Sequence, residues 1–209
     1  MNYQDIKDLA FGYADRQDPE TVDKYDFFLR VVESRINQVL KVQKMSCRTQ
    51  LKTREAQEYY GLPTDFLGLR DIEIFDQATP NDKVTLEYLN PKQMNDLGSG
   101  PVEGVFYTII ADQLYIKPAQ RDKILEIIYY RRVPPLKSAI TDGDAAENWV
   151  SKDYPDLYVF GTLVEISSFV KDAAALDIWN KRFELALESV RIDDTDTRWS
   201  GTPLQMRTA

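Results

Sequence analysis

The apolar residues of this chain change their spacing twice, and that double change constrains the fold more than any other feature. From residue 20 to about residue 44, Val22, Tyr25, Leu29, Val32, Ile36 and Val39 recur at intervals of three and four. That spacing gathers side chains onto one stripe of an α-helix. Between residues 47 and 133 the pattern becomes short runs of strand composition, at 72–74, 84–88, 105–110, 114–117 and 124–130. From residue 153 the helical spacing returns. The simplest assembly is an α+β fold. It has an antiparallel helical bundle built from residues 1–46 and 148–191, and an antiparallel β-rich insertion at 47–133. An acidic loop at 134–147 and an extended C-terminal arm at 192–209 complete it.

Start and stop signals refine this outline. Residues 2–14 read as a short helix with Ile6, Leu9, Ala10 and Tyr13 on one face. Asp18 caps the next helix and Pro19 takes its first position; neither Gly nor Pro interrupts it before Lys44. Turn-forming residues at 77–82, 98–101 and 111–113 separate five to seven strands, the last of these turns closing a hairpin. Asn90 and Pro91 open one helical excursion. In the third block Asp153 is the expected cap, with Pro155 and Asp156 in the first turn. The helix that follows is apolar on nearly every face (Leu157, Tyr158, Val159, Phe160, Leu163, Val164, Ile166), which predicts a central, buried position. A second helix after Asp172 carries Leu176, Trp179, Phe183, Leu187 and Val190 on one stripe, and no period is evident beyond Arg191.

Composition removes whole classes of chemistry. Among 209 residues there is no histidine and one cysteine, Cys47. Ser-His-Asp and Cys-His catalysis, histidine proton shuttling, and thiolate or imidazole zinc sites are therefore closed off. The net charge is −8, and most of the acidic surplus lies in the last third of the chain. A nucleic-acid-binding protein usually presents a basic stripe that neutralises phosphates, and the cations here are dispersed. No run of 18 apolar residues occurs, and the N-terminus lacks a basic region followed by an apolar stretch. Neither a membrane span nor Sec export is expected.

Each remaining constellation has an ordinary structural explanation. Asp142, Asp144 and Glu147 cluster in a loop and Asp193, Asp194 and Asp196 near the tail, but neither has the ligand alternation of a calcium loop. Solvated loops are the bland reading, and the acidic lining of a channel is the sharper one. Tyr59-Tyr60 and Tyr129-Tyr130 read as strand pairs with one ring inside and one outside, with sugar or base stacking as the alternative. The C-terminal arm, which bends through Gly201 and Pro203, carries the large apolar side chains of Trp199, Leu204 and Met206 in a segment unable to fold alone. It must bury them against its own bundle or against a neighbouring chain, where Trp is a frequent anchor.

An ordered set of short motifs resembles the head–tail adaptor, or connector, proteins of tailed bacteriophages. The set begins with Leu62-Pro63-Thr64-Asp65-Phe66 and Leu86-Glu87-Tyr88-Leu89-Asn90-Pro91. It continues through Tyr129-Tyr130, Pro134-Pro135-Leu136, Asn148-Trp149 and Tyr154-Pro155-Asp156-Leu157-Tyr158, and ends at Ser200-Gly201-Thr202-Pro203-Leu204. The resemblance implies a non-enzymatic, cofactor-free structural protein of the virion neck, made in the host cytoplasm. It implies a homo-oligomeric ring of twelve copies between a portal protein above and a tail or nozzle protein below, with DNA passing through without specific binding. It also implies a C-terminal segment that docks on the portal, matched here by Trp199, Gly201, Pro203 and Leu204. A ring of twelve chains at −8 each carries roughly −96, and acids such as Asp142, Asp144 and Glu147 facing the bore would let a polyanion slide rather than bind. Two other classes remain open: a carbohydrate- or surface-binding β module on a helical stalk, and a carboxylate hydrolase, for which no acid spacing argues.

Overall fold

The computed structural model describes residues 1–98, 103–137, 143 and 145–199, with the backbone alone at 199. The chain runs α1 (Tyr3–Ala14), α2 (Pro19–Asp23), α3 (Tyr25–Val39), then β1 (Ser46–Lys52), β2 (Tyr59–Gly61), β3 (Phe66–Asp76), β4 (Thr79–Thr85) and β5 (Glu87–Tyr88). After α4 (Pro91–Asp96) come β6 (Phe106–Ile110), β7 (Gln113–Lys117) and β8 (Lys123–Arg131). The described chain closes with α5 (Trp149–Asp153), α6 (Pro155–Phe169) and α7 (Ala173–Trp199). This is a mixed α+β protein whose chain divides into two compact units: Met1–Gln43 together with the chain from Val133 onward, and Lys44–Arg132.

In the helical unit α6 is the centre. Leu157, Tyr158, Leu163 and Ile166 are at most 1% exposed, and α1, α3 and α7 all pack on this helix. Its neighbours contribute Ile6 and Ala10, then Phe28, Leu29, Val32 and Ile36, then Phe183, Leu187 and Val190, all buried. Gly161 permits the close approach: a Cβ there would lie 2.5 Å from Val32 Cγ1 and 3.1 Å from Phe183 Cε2. Asp18 caps α2 by accepting from the Thr21 N–H, and Pro19 follows it.

Three expectations about helices change. The long helix beginning at Pro19 is interrupted at Lys24, which closes α2 by donating its N–H to Thr21 and Val22 carbonyls and opens α3. The second piece ends at Val39, where Leu40 turns extended and buries its side chain. Asp153 ends α5 instead of capping α6; Tyr154 holds the N-cap position without a side-chain cap, and Asn148 caps α5 in a reciprocal box with Ser151. Most consequentially, the stretch from 192 to 199 expected in an extended arm is helical, the last two turns of α7. Polar contacts hold it. The Asp194 carboxylate accepts from the Gln43 N–H at 2.6 Å and pairs with Arg198 at 2.7 Å, Asp193 accepts from the Tyr154 hydroxyl, and the Arg191 guanidinium donates to the Val39 carbonyl at 3.1 Å.

The β unit consists of two four-stranded sheets, ordered β1-β8-β3-β4 and β2-β7-β6-β5. They share one core of Ile72, Ile74, Leu125, Ile127 and Tyr129 from the first sheet with Tyr60, Leu114 and Ile116 from the second. Every pairing is antiparallel except β5 with β6, which is parallel. The eight strands among the described residues exceed the expected five to seven: polar β1 and three-residue β2 carry little apolar signal, and the run expected at 84–88 divides at Leu86 between β4 and β5. The turn expected at 77–82 shrinks to residues 77 and 78. Pro80, Asn81 and Asp82 lie in β4, exposed along its whole length at a sheet edge, the place in a sheet where a missing N–H is tolerated. The hairpin at Ala111 and Asp112 and the Asn90-capped α4 form as expected.

Candidate functional site

The residues that carry the adaptor resemblance act as brackets within each unit. In the β unit the Asp65 carboxylate accepts from the Tyr129 hydroxyl at 2.9 Å, and its carbonyl accepts from the Arg132 N–H at 2.7 Å. Phe66 stacks on Tyr129 at 5.7 Å between centroids. Leu86, 4% exposed, donates its N–H to the Ile72 carbonyl. In the helical unit α3 grips the segment that follows β8. The Glu33 carboxylate accepts from the Leu136 N–H at 2.6 Å, and the Asn37 side chain accepts from the Val133 N–H at 2.8 Å. Asn148 donates to the Pro134 carbonyl at 2.7 Å and to the Tyr158 hydroxyl at 2.8 Å. Burial pushes the Glu33 carboxyl above the ordinary carboxylate range, against the opposing pull of the Leu136 N–H. These motifs therefore position chain segments.

The acidic constellations separate. Glu147 is exposed and pairs with Lys152 at 3.3 Å; Asp142 and Asp144 lie outside the described residues. Asp193 and Asp194 are engaged in holding the end of α7, and Asp196 is exposed. Trp199 is the last described residue and ends α7, while Gly201, Pro203 and Leu204 lie outside the described residues. Among the described residues no group of three or more His, Cys, Asp or Glu could hold a metal ion, and no helix is long and apolar enough to cross a membrane.

A charged cluster that the sequence reading missed crosses the outer face of the first sheet. Glu126 stands in register with Gln50 on β1 and Glu73 on β3. It is 2% exposed and accepts from Arg48 and Gln50. Lys83 on β4 donates to Glu126 and to Glu73, each at 2.7 Å. Burial acts to raise the Glu126 pKa, but the hydrogen bonds from Lys83, Arg48 and Gln50 outweigh it and hold the carboxyl at about 2. A carboxylate held ionised in this way is a poor general acid near neutral pH. The cluster is an interstrand clamp. Strand alternation around an acidic residue at 126 was its only signal, and it becomes specific only once the register is known.

The tyrosines do not form a platform. Tyr60 and Tyr129 point inward at 6% and 4% exposure, as alternation predicts. Tyr59 stacks face to face on Tyr115 at 4.5 Å, opposite Thr108. Tyr88 meets Tyr107 edge-on at 5.6 Å. Residues 107 and 108 are successive in β6 and face opposite sides, so the two exposed rings belong to different faces.

Comparison with known proteins gives one family. The family model described as SU10 adaptor protein matches residues 1–207. No curated protein matches the chain.

Proposed function

Because the chain belongs to the SU10 adaptor protein family, a family of phage head–tail adaptors, we propose that it is a structural component of a phage neck. The observation that carries this reading is the family match across nearly the whole chain. In this reading the helical unit is an antiparallel bundle that builds a ring, in twelve copies, between a portal protein and a tail or nozzle protein. DNA passes through the ring without specific binding, and no catalysis is involved. The net charge of −8 per chain favours passage of a polyanion over its capture. Asp142, Asp144 and Glu147 are the acids proposed to face the bore.

The C-terminal segment is proposed to dock on the portal, with Trp199 and Leu204 entering apolar pockets and Gly201 and Pro203 shaping the bend between them. Each large apolar side chain buried there stabilises by about 2–3 kcal/mol, less the cost of ordering the segment. Deleting residues 199–209 tests this by calorimetry of the free chain together with co-sedimentation on portal rings. An unchanged melting temperature with lost attachment is the expected result. A large fall in melting temperature means the segment packs on its own unit, and retained attachment means the portal contact lies elsewhere.

A further inference from the structure

The outward side of α7 carries an apolar ridge that the helical unit leaves uncovered. Ile178, Leu185 and Ile192 are 52%, 71% and 55% exposed, although Phe183, Leu187 and Val190 on the same helix are buried. A spacing of seven falls only about 20° short of two full turns, so the three side chains line up along about 21 Å of helix. Beside the N-terminal end of the ridge lies a cluster of residue types that often dominate interface energies. The Arg182 guanidinium sits 5.1 Å from the Trp179 ring centroid and 5.8 Å from that of Phe160. Tyr13, 53% exposed, meets Trp179 at 5.7 Å.

The charges along the ridge indicate what covers it. Lys181 lies between Ile178 and Leu185, and Glu188 between Leu185 and Ile192. At 100° per residue both fall on the same flank. We propose that this face binds a second copy of the chain with the two α7 helices antiparallel, Leu185 against Leu185 and Ile178 against Ile192. In that register each Lys181 faces the other copy's Glu188, and Arg182 faces Ser189. A parallel pair would instead bring opposite flanks together, setting Lys181 against the other copy's Arg182 and leaving Glu188 against Ser189, so charge selects the antiparallel arrangement. Lys181 is held by Asp177 at 2.7 Å and Glu188 by Arg191 at 3.3 Å within the helix. Both pairs are exposed, contribute little, and can exchange for contacts across the interface. The contact is isologous and closes as a dimer. A two-fold contact of this kind differs in symmetry from the head-to-tail contacts of a ring and does not depend on the ring reading; it covers the ridge while the chain is off the particle.

Sedimentation equilibrium and light scattering of the full chain, from low to high micromolar concentration, test this. A monomer–dimer equilibrium is expected. Leu185→Asp should abolish the dimer with the melting temperature of the monomer unchanged, because Leu185 is 71% exposed. Lys181→Glu should weaken the dimer roughly tenfold, and Lys181→Glu with Glu188→Lys should restore it. A chain that stays monomeric throughout overturns the proposal. So does an oligomer that survives Leu185→Asp, or a charge reversal that the second substitution does not rescue.

Discussion

Glu126 is a carboxylate on the outer face of a sheet, where water would ordinarily keep it solvated. Its neighbours bury it instead: Arg48 and Gln50 from the adjacent β1 and Lys83 from β4, beyond β3, fold over it and leave the residue 2% exposed. Without Lys83 between them, Glu126 and Glu73 would be like charges opposed across β8 and β3, a destabilising arrangement. The folded-state pKa of about 2 lies below the ordinary 4.5. The ionised group therefore contributes stability that is fully present above about pH 4.5 and is lost as pH falls toward 2. Glu126→Gln should cost about 1–3 kcal/mol at pH 7, and its urea midpoint should converge with that of the parent chain as pH approaches 2. Parallel pH profiles for the two proteins would show that the clamp contributes no charge-dependent stability. Nothing in the spacing of residues 48, 50, 83 and 126 marks them as partners, because only the pairing register brings them into contact.

At the scale of the element, α6 shows how one small residue sets an interhelical distance. Gly161→Ala should favour the isolated helix by about 1 kcal/mol. In the folded chain the new methyl group would sit 2.5 Å from Val32 Cγ1, and overpacking of this kind costs about 1–3 kcal/mol. Calorimetry should show a lower melting temperature for Gly161→Ala, and the penalty should shrink in a Val32→Ala background. An equal penalty in both backgrounds would assign the effect to something other than this contact. The apolar run of α6 made its central position readable from sequence. The length of α7 was not readable, because its last turns are secured by Asp193, Asp194 and Arg198, and hydrophobic periodicity does not register polar contacts. The ridge of Ile178, Leu185 and Ile192 stands in the sequence at heptad spacing, on the helix face opposite the buried stripe of Phe183, Leu187 and Val190, which carries more apolar residues.

At the scale of the whole molecule, the chain leaves its helical unit at about residue 44 and returns at Val133. The β unit between these points has its own core, with residues of both sheets in one cluster that includes Leu114, Leu125 and Ile127 at no more than 1% exposure. Such a core should be sufficient for autonomous folding. Residues 44–132 expressed alone should therefore give dispersed amide resonances and one cooperative thermal transition. A molten, non-cooperative fragment would mean that the β unit needs the helical unit in order to fold.

The sequence alone determined the succession of helical, β and helical blocks, the central burial of α6, the caps at Asp18 and Asn90, and the inward rings of Tyr60 and Tyr129. These depend on side-chain periodicity and on local hydrogen bonds within a few residues, both of which are written along the chain. The ordered motifs also pointed to the adaptor family, which the match over residues 1–207 shows. Tertiary structure decided the rest: two sheets with one parallel pairing, the break at Lys24, the helical state of 192–199 and the Glu126 clamp. Each of these depends on partners far apart in sequence, such as Gln43 with Asp194 or Arg48 with Glu126. Local spacing carries no record of such partners, because only the packed chain brings them within hydrogen-bonding distance.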